Sequence, residues 1–142
     1  LHGCPVHDEF SKVFDGLGGF TLLTQAIRRF PEEKILLARS LDVLCAFCRE
    51  GVELLDDEVL VCTIFDAVRA MKTFAYSQTV CLAACRFLFE MCVAHIENQK
   101  LVVASGGRTA IVHLLKMHVT NSKLTYVAAR TLRAVQHVRL SS

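Results

Sequence analysis

The sequence has no tryptophan, two tyrosines, two prolines and seven glycines in 142 residues. With Pro5 and Pro31 as the only prolines, and no Ser-rich, Gly-rich or low-complexity stretch, nothing divides the chain, and residues 1–142 read as one domain. Charges interrupt every apolar stretch before it reaches the roughly 18 residues a membrane-spanning helix needs, and no secretory leader opens the chain. No membrane partner is expected. An excess of one charge sign is missing too: sixteen Lys and Arg against fourteen Asp and Glu leave a formal +2. That is too little for a general polyanion binder, so a nucleic-acid partner is not expected. The patterns GxSxG, HExxH, GxGxxG and the Walker loop are all absent, so no enzyme activity and no cofactor are expected. The first residue is Leu1 rather than Met, which reads as a piece of something longer.

What the chain does contain is apolar mass, about 56% of residues when Gly is counted and Tyr is not, above the ~45–50% usual for soluble domains. Seven cysteines is an odd number, and most lie inside apolar helical patterns. That suits buried free thiols in a reducing compartment, the cytoplasm or else the nucleus, better than a disulfide frame. LLARSLDVLCAF, VCLAACRFLFEMC and LTYVAARTLRAV each place apolar residues at i, i+3, i+4 and i+7, the pattern of a helix buried along one face. No segment shows the strict alternation of a half-buried strand, so the expected class is all-α.

The punctuation between helices repeats. SGGRTAIVHLLKMH at 105–118 echoes GLGGFTLLTQAIRRF at 16–30, and Gly19 and Gly107 stand 88 residues apart, twice 44. A phosphate cradle would need a strand ahead of it and a partner lysine; a hinge that recurs at a fixed period is structural. Phe30-Pro31-Glu32-Glu33 predicts the end of one helix and the start of another, with Pro early in the helix and acids in its first turn. Thr120-Asn121-Ser122 predicts a further N-cap. Within the long helices, Ala38-Arg39-Ser40-Leu41, Cys85-Arg86-Phe87-Leu88 and Ala129-Arg130-Thr131-Leu132 repeat one motif at spacings of 47 and 44.

In these spacings and in the unit ENQKLVVASGGRTAIVHLLKMHVTNSKLTYVAARTLRAV the chain resembles the armadillo (ARM/HEAT-like) helical repeat family, whose periods are roughly 40–47 residues. The resemblance implies a right-handed superhelical stack of about three units, at residues 8–49, 52–95 and 97–139, the middle one degenerate, with Cys62-Thr63 where the glycines should be. It also implies a non-catalytic binding module or scaffold, whose long third helices line a concave groove. The importin and catenin branches carry Trp and Asn along that groove. Here Arg39, Arg86 and Arg130 take the Trp position, and Val43, Glu90 and Ala134 the Asn position. Such a row would repel basic localisation peptides and suit an acidic or phosphorylated protein segment, because guanidinium is planar, permanently charged and bidentate toward carboxylate or phosphate. Third helices about 8–10 Å apart would match an acidic residue near every third position of an extended ligand.

Against this stands a purely structural role for the arginines. Asp42 lies three residues after Arg39 and Glu90 four after Arg86, so pairing within each helix would neutralise two of them. Arg130 has no acid at either offset and shares a face with Arg133 and His137, which makes these three the strongest partner-binding candidates. A different class of function is structural assembly, a homo-oligomer or longer stack formed through apolar ends: Phe10, Val13, Phe14 and Phe20 at one, Leu124, Val127, Val135 and Val138 at the other. Cys4 and His7 with Cys45 and Cys48 have the two-residue gaps of a zinc site, but Cys45 and Cys48 fall mid-helix rather than in a turn, and no metal is expected. Cys81, Cys85 and Cys92 share a helix face beside Leu88 and Met91 and read as core. His95, His113 and His118 are scattered at spacings that no ligand set uses.

Overall fold

A computed structural model describes residues 18–49 and 57–136, and within them the chain is helical without any strand. Seven helices follow one another: α1 (Gly19–Arg29), α2 (Lys34–Arg49), α3 (Asp57–Thr73), α4 (Gln78–Ala94), α5 (Ile96–Ala104), α6 (Gly107–Met117) and α7 (Ser122–Gln136).

The helix boundaries follow local chemistry. Gly18 and Gly106 hold φ of 77° and 84°, the left-handed region, immediately ahead of α1 and α6. These are the recurring glycine hinges, and only glycine enters that region without strain. At Gly107 the reason is space: a Cβ would run into the Val102 side chain and lie 2.8 Å from the Val102 carbonyl oxygen. Ser77 caps α4, its hydroxyl accepting from the Val80 amide at 3.3 Å, and Asn121 caps α7 by accepting from Leu124 at 3.1 Å. Where α4 turns into α5, the Asn98 and Gln99 side chains donate to the Met91 and Cys92 carbonyls at 2.8 and 3.0 Å. The Cys92 carbonyl near the end of α4 thereby gains a donor, and the Met91 carbonyl, already accepting the His95 amide at 3.3 Å, gains a second.

Two expectations change. Pro31, Glu32 and Glu33 form a turn ahead of α2, which starts at Lys34 with no acid in its first turn. The chain completes a reverse turn there, the Glu33 amide donating to the Phe30 carbonyl at 3.1 Å, before the helix begins. Cys62 and Thr63 mark no hinge: α3 runs through them, and Thr63 back-bonds to the Val59 carbonyl at 2.7 Å. Without a residue that tolerates positive φ, the helix continues.

Helix α4 lies in the middle, flanked by α2 and α7, with α3 and α5 packed on it as well. It is apolar nearly all round, the pattern of a helix buried on most sides: Val80, Cys81, Ala84, Cys85, Leu88 and Cys92 are at most 1% exposed. Leu41 and Leu44 of α2 and Leu124 and Val135 of α7 meet it from the two flanks, all fully buried, each stabilising by about 1.5–3 kcal/mol. The Thr131 hydroxyl ties α7 to α4 through the Cys85 carbonyl at 3.0 Å. On the other side α1 packs on α2 and α3, and α6 on α7, α5 and α3. Phe20 closes edge-to-face on Phe47, ring centroids 5.2 Å apart.

For four of its residues the apolar-end expectation does not hold. Phe20, Leu124, Val127 and Val135 are buried inside the chain and do not face outward. A sequence pattern cannot distinguish burial within the chain from burial against a second copy. Phe10, Val13, Phe14 and Val138 lie outside the described residues.

Candidate functional site

The three motif arginines sit on α2, α4 and α7, the three helices packed side by side. Arg39 is exposed on α2, Arg86 is half-buried on α4, and Arg130 is half-buried on α7. Arg133 is exposed one turn beyond Arg130; His137 lies outside the described residues.

Their pairing differs from the intrahelical pattern. Glu90 takes Arg49 of α2 across the helix gap, Nε to Oε2 at 3.4 Å, and Arg49 also approaches the Cys45 sulfur at 3.4 Å. Burial raises the Asp42 carboxyl above its ordinary value, and the Arg86 guanidinium pulls it back down. Arg86 of α4 is therefore near enough to Asp42 of α2 to act on its charge, without forming an ion pair with it among the described residues. Side-by-side packing of α2 and α4 thus places an acid near Arg86 and gives Glu90 a partner on the neighbouring helix.

Arg130 is different. Its guanidinium lies 4.1 Å from the Phe89 ring centroid and 5.9 Å from that of Tyr126. Phe89 belongs to α4 and Tyr126 stands one turn earlier on α7, so an interhelical and an intrahelical ring hold the same cation. Its Nε is buried and has no hydrogen-bond partner among the described residues. Among the described residues, no acid pairs with it. Two rings beside the cation leave its terminal amino groups without a hydrogen bond among the described residues, and a planar guanidinium suits a bidentate acceptor.

Sequence reasoning missed the distribution of charge, because a total of +2 hides it. All fourteen acids precede residue 98, together with nine of the sixteen Lys and Arg. Residues 98–142 carry the other seven and no acid, so the two parts stand at −5 and +7. Ion pairing follows nearly the same division, with one pair, Glu97–Lys100, crossing it. Asp66 holds Arg28 and Arg69 at 3.3 and 3.1 Å, Glu90 holds Arg49, and Glu97 holds Lys100 at 3.4 Å. No cation of α6 or α7 takes part in an ion pair among the described residues. Counting acids by segment rather than by chain finds this signal.

The cysteines line the interior. Cys45, Cys81, Cys85 and Cys92 are buried and Cys48 is half-buried, all as free thiols. Burial pushes Cys45 and Cys92 up to about 11, and Cys48, Cys81 and Cys85 up to about 12. Thiols held protonated this firmly are poor nucleophiles and poor metal ligands. Cys4 and His7 fall outside the described residues, and among the described ones no three His, Cys, Asp or Glu converge as a ligand set. His118 Nε2 lies 2.7 Å from the Ala75 carbonyl, tying the α6–α7 turn to the α3–α4 turn, while His95 and His113 are exposed.

One groove of about 440 Å³ opens between α1 and α3, lined by Thr21, Arg28, Glu58, Cys62 and Asp66 among others. Burial raises the Asp66 carboxyl, against the opposing pull of Arg69 and Arg28. Its oxygens are already held by those two guanidiniums, and no histidine lines the groove to activate Cys62. Among the described residues, no helix is long and apolar enough to cross a membrane. No family model, curated protein or solved structure matches the chain.

Proposed function

We propose that the chain is an armadillo-like protein-interaction module that binds an extended acidic segment of a partner protein across α2, α4 and α7. The carrying observation is Arg130, planar, stacked on Phe89 and Tyr126, and unmatched by any acid of its own. The repeat reading is supported by Gly18 and Gly106, which share one conformation 88 residues apart, and by the lateral order α2, α4, α7 of the three motif helices. Arg133 extends the cationic surface along α7, while Arg39 and Arg86 lie on the neighbouring helices, Arg86 near Asp42. The function is non-catalytic and uses neither cofactor nor metal, since the thiols are held protonated in the core and the arginines act by charge and shape. Free buried thiols suit a reducing compartment, cytoplasmic or nuclear.

Fluorescence anisotropy with acidic, neutral and basic extended peptides tests the reading. The acidic peptide should bind best. Arg130→Glu should weaken it about tenfold or more, a change of roughly 1.4 kcal/mol or above, and more than Arg86→Glu, because Asp42 already offsets Arg86. Equal binding of all three peptides would overturn it.

A further inference from the structure

We infer that the partner segment is polarised: its acidic residues form one run that lies along α7, while the part crossing α4 and α2 is neutral or basic. This rests on the proposed binding of an acidic segment and adds where its charges sit.

Lys123, Tyr126, Arg130 and Arg133 follow one another at i, i+3, i+7 and i+10, which puts them in a single stripe along one face of α7. Lys123, Tyr126 and Arg133 are exposed and Arg130 is half-buried, its guanidinium held against Tyr126. The stripe is about 15 Å long at 1.5 Å per residue. An extended chain advances about 3.3 Å per residue, so four or five consecutive ligand residues cover it. No acid occurs anywhere from residue 98 onward, and nothing on α7 competes for these cations.

The surface toward α2 is built differently. Glu90 is held by Arg49 at 3.4 Å, and Asp42 of α2 lies within the electrostatic reach of Arg86. A ligand carboxylate there would meet a native carboxylate beside each arginine, and like charges close together are unfavourable. An acid at every third position would gain on α7 and lose on α4 and α2. A clustered run gains on α7 alone and presents neutral or basic residues to Asp42 and Glu90. Asp42 and Glu90 are thus the specificity-determining residues, acting by rejection.

The test uses three labelled peptides of identical composition, with four Glu and four Lys: Glu at the amino end, Glu at the carboxyl end, and the two alternating. One of the two block peptides should bind about tenfold more tightly than the alternating one. That preference should disappear in Lys123→Glu/Arg133→Glu, whose altered side chains are solvent-exposed, and the alternating peptide should gain affinity in Asp42→Asn/Glu90→Gln. Circular dichroism confirms that each variant is folded. Equal binding of block and alternating peptides overturns the polarity while leaving the acidic-segment reading intact, provided an all-acidic peptide still binds. A block preference that survives reversal of Lys123 and Arg133 also overturns it, and no binding by any acidic peptide overturns both.

Discussion

Alkaline pH should unfold this protein through its cysteines. Cys45, Cys81, Cys85 and Cys92 are each no more than 2% exposed, and burial raises all four from 9.0 to about 11 or about 12. Between those values the folded state keeps its protons while the unfolded state gives them up. Native molecules then bind more protons, and stability must fall as pH rises. The contribution is fully present below 9.0 and is lost through the window up to about 11 or 12. One pH unit is worth about 1.4 kcal/mol per thiol, so one unit above 9.0 the four together cost on the order of 5 kcal/mol. Total stabilities of single domains run about 5–15 kcal/mol, so the loss is large enough to unfold the chain. Urea titrations followed by circular dichroism, under reductant, at neutral pH and one unit above 9.0 measure it. The Cys85→Ala/Cys92→Ala variant should be less stable at neutral pH and lose the share of the alkaline effect due to those two thiols, leaving that of Cys45, Cys48 and Cys81. An unchanged alkaline slope in that variant, or thiolate ultraviolet absorbance rising near 9.0 before the helices melt, would refute the reasoning.

Gly107→Ala should destabilise by about 1–3 kcal/mol, the cost of overpacking, because its methyl meets a backbone oxygen of Val102. Gly18→Ala, with open space around it but φ of 77°, should cost about 1 kcal/mol by conformation alone; thermal melts giving the reverse order would contradict the packing at α6. Asp66→Asn should gain stability relative to the wild type as pH rises from about 4 to 7, since burial holds the Asp66 carboxyl above 3.8 and its ionised form is the less favoured one in the fold. Denaturation at the two pH values with the opposite trend would mean that Arg28 and Arg69 outweigh burial.

What could be read from the sequence was local. Gly106 and Asn121 announce themselves because positive φ and helix capping are properties of one residue and its immediate neighbours. The motif helices were legible for a related reason, since a buried face repeats every three or four residues. The continuity of α3 was not, because Cys62-Thr63 is neither a helix breaker nor a strong former, and packing decided. Arg49–Glu90 spans 41 residues and depends on which helices lie side by side, which no i, i+4 rule contains. The same holds for Phe89 beneath Arg130: an aromatic in an apolar helix reads as core until the neighbouring helix is placed. The acid-free segment was legible but is lost in any whole-chain charge.

Arg130 offers the sharpest separation between a structural arginine and one kept for a partner. Its gain within the fold is a cation–π contact with Phe89 and a longer one with Tyr126, worth about 0.5–1 kcal/mol at a partly exposed site. Its cost is a buried Nε–H with no acceptor, on the order of 1–3 kcal/mol. The cost is the larger, so Arg130→Met, which keeps a long flexible side chain against the Phe89 ring and removes the orphan donor, should leave stability unchanged or raise it by up to about 2 kcal/mol. The same variant should lose most of its affinity for an acidic peptide, since no cation remains at the centre of the α7 stripe. A urea midpoint that falls well below that of the wild type would mean that Arg130 holds α7 to α4, and its stacking would then need no ligand to explain it. A midpoint that holds or rises while binding collapses would mean that the fold tolerates this arginine and the partner requires it.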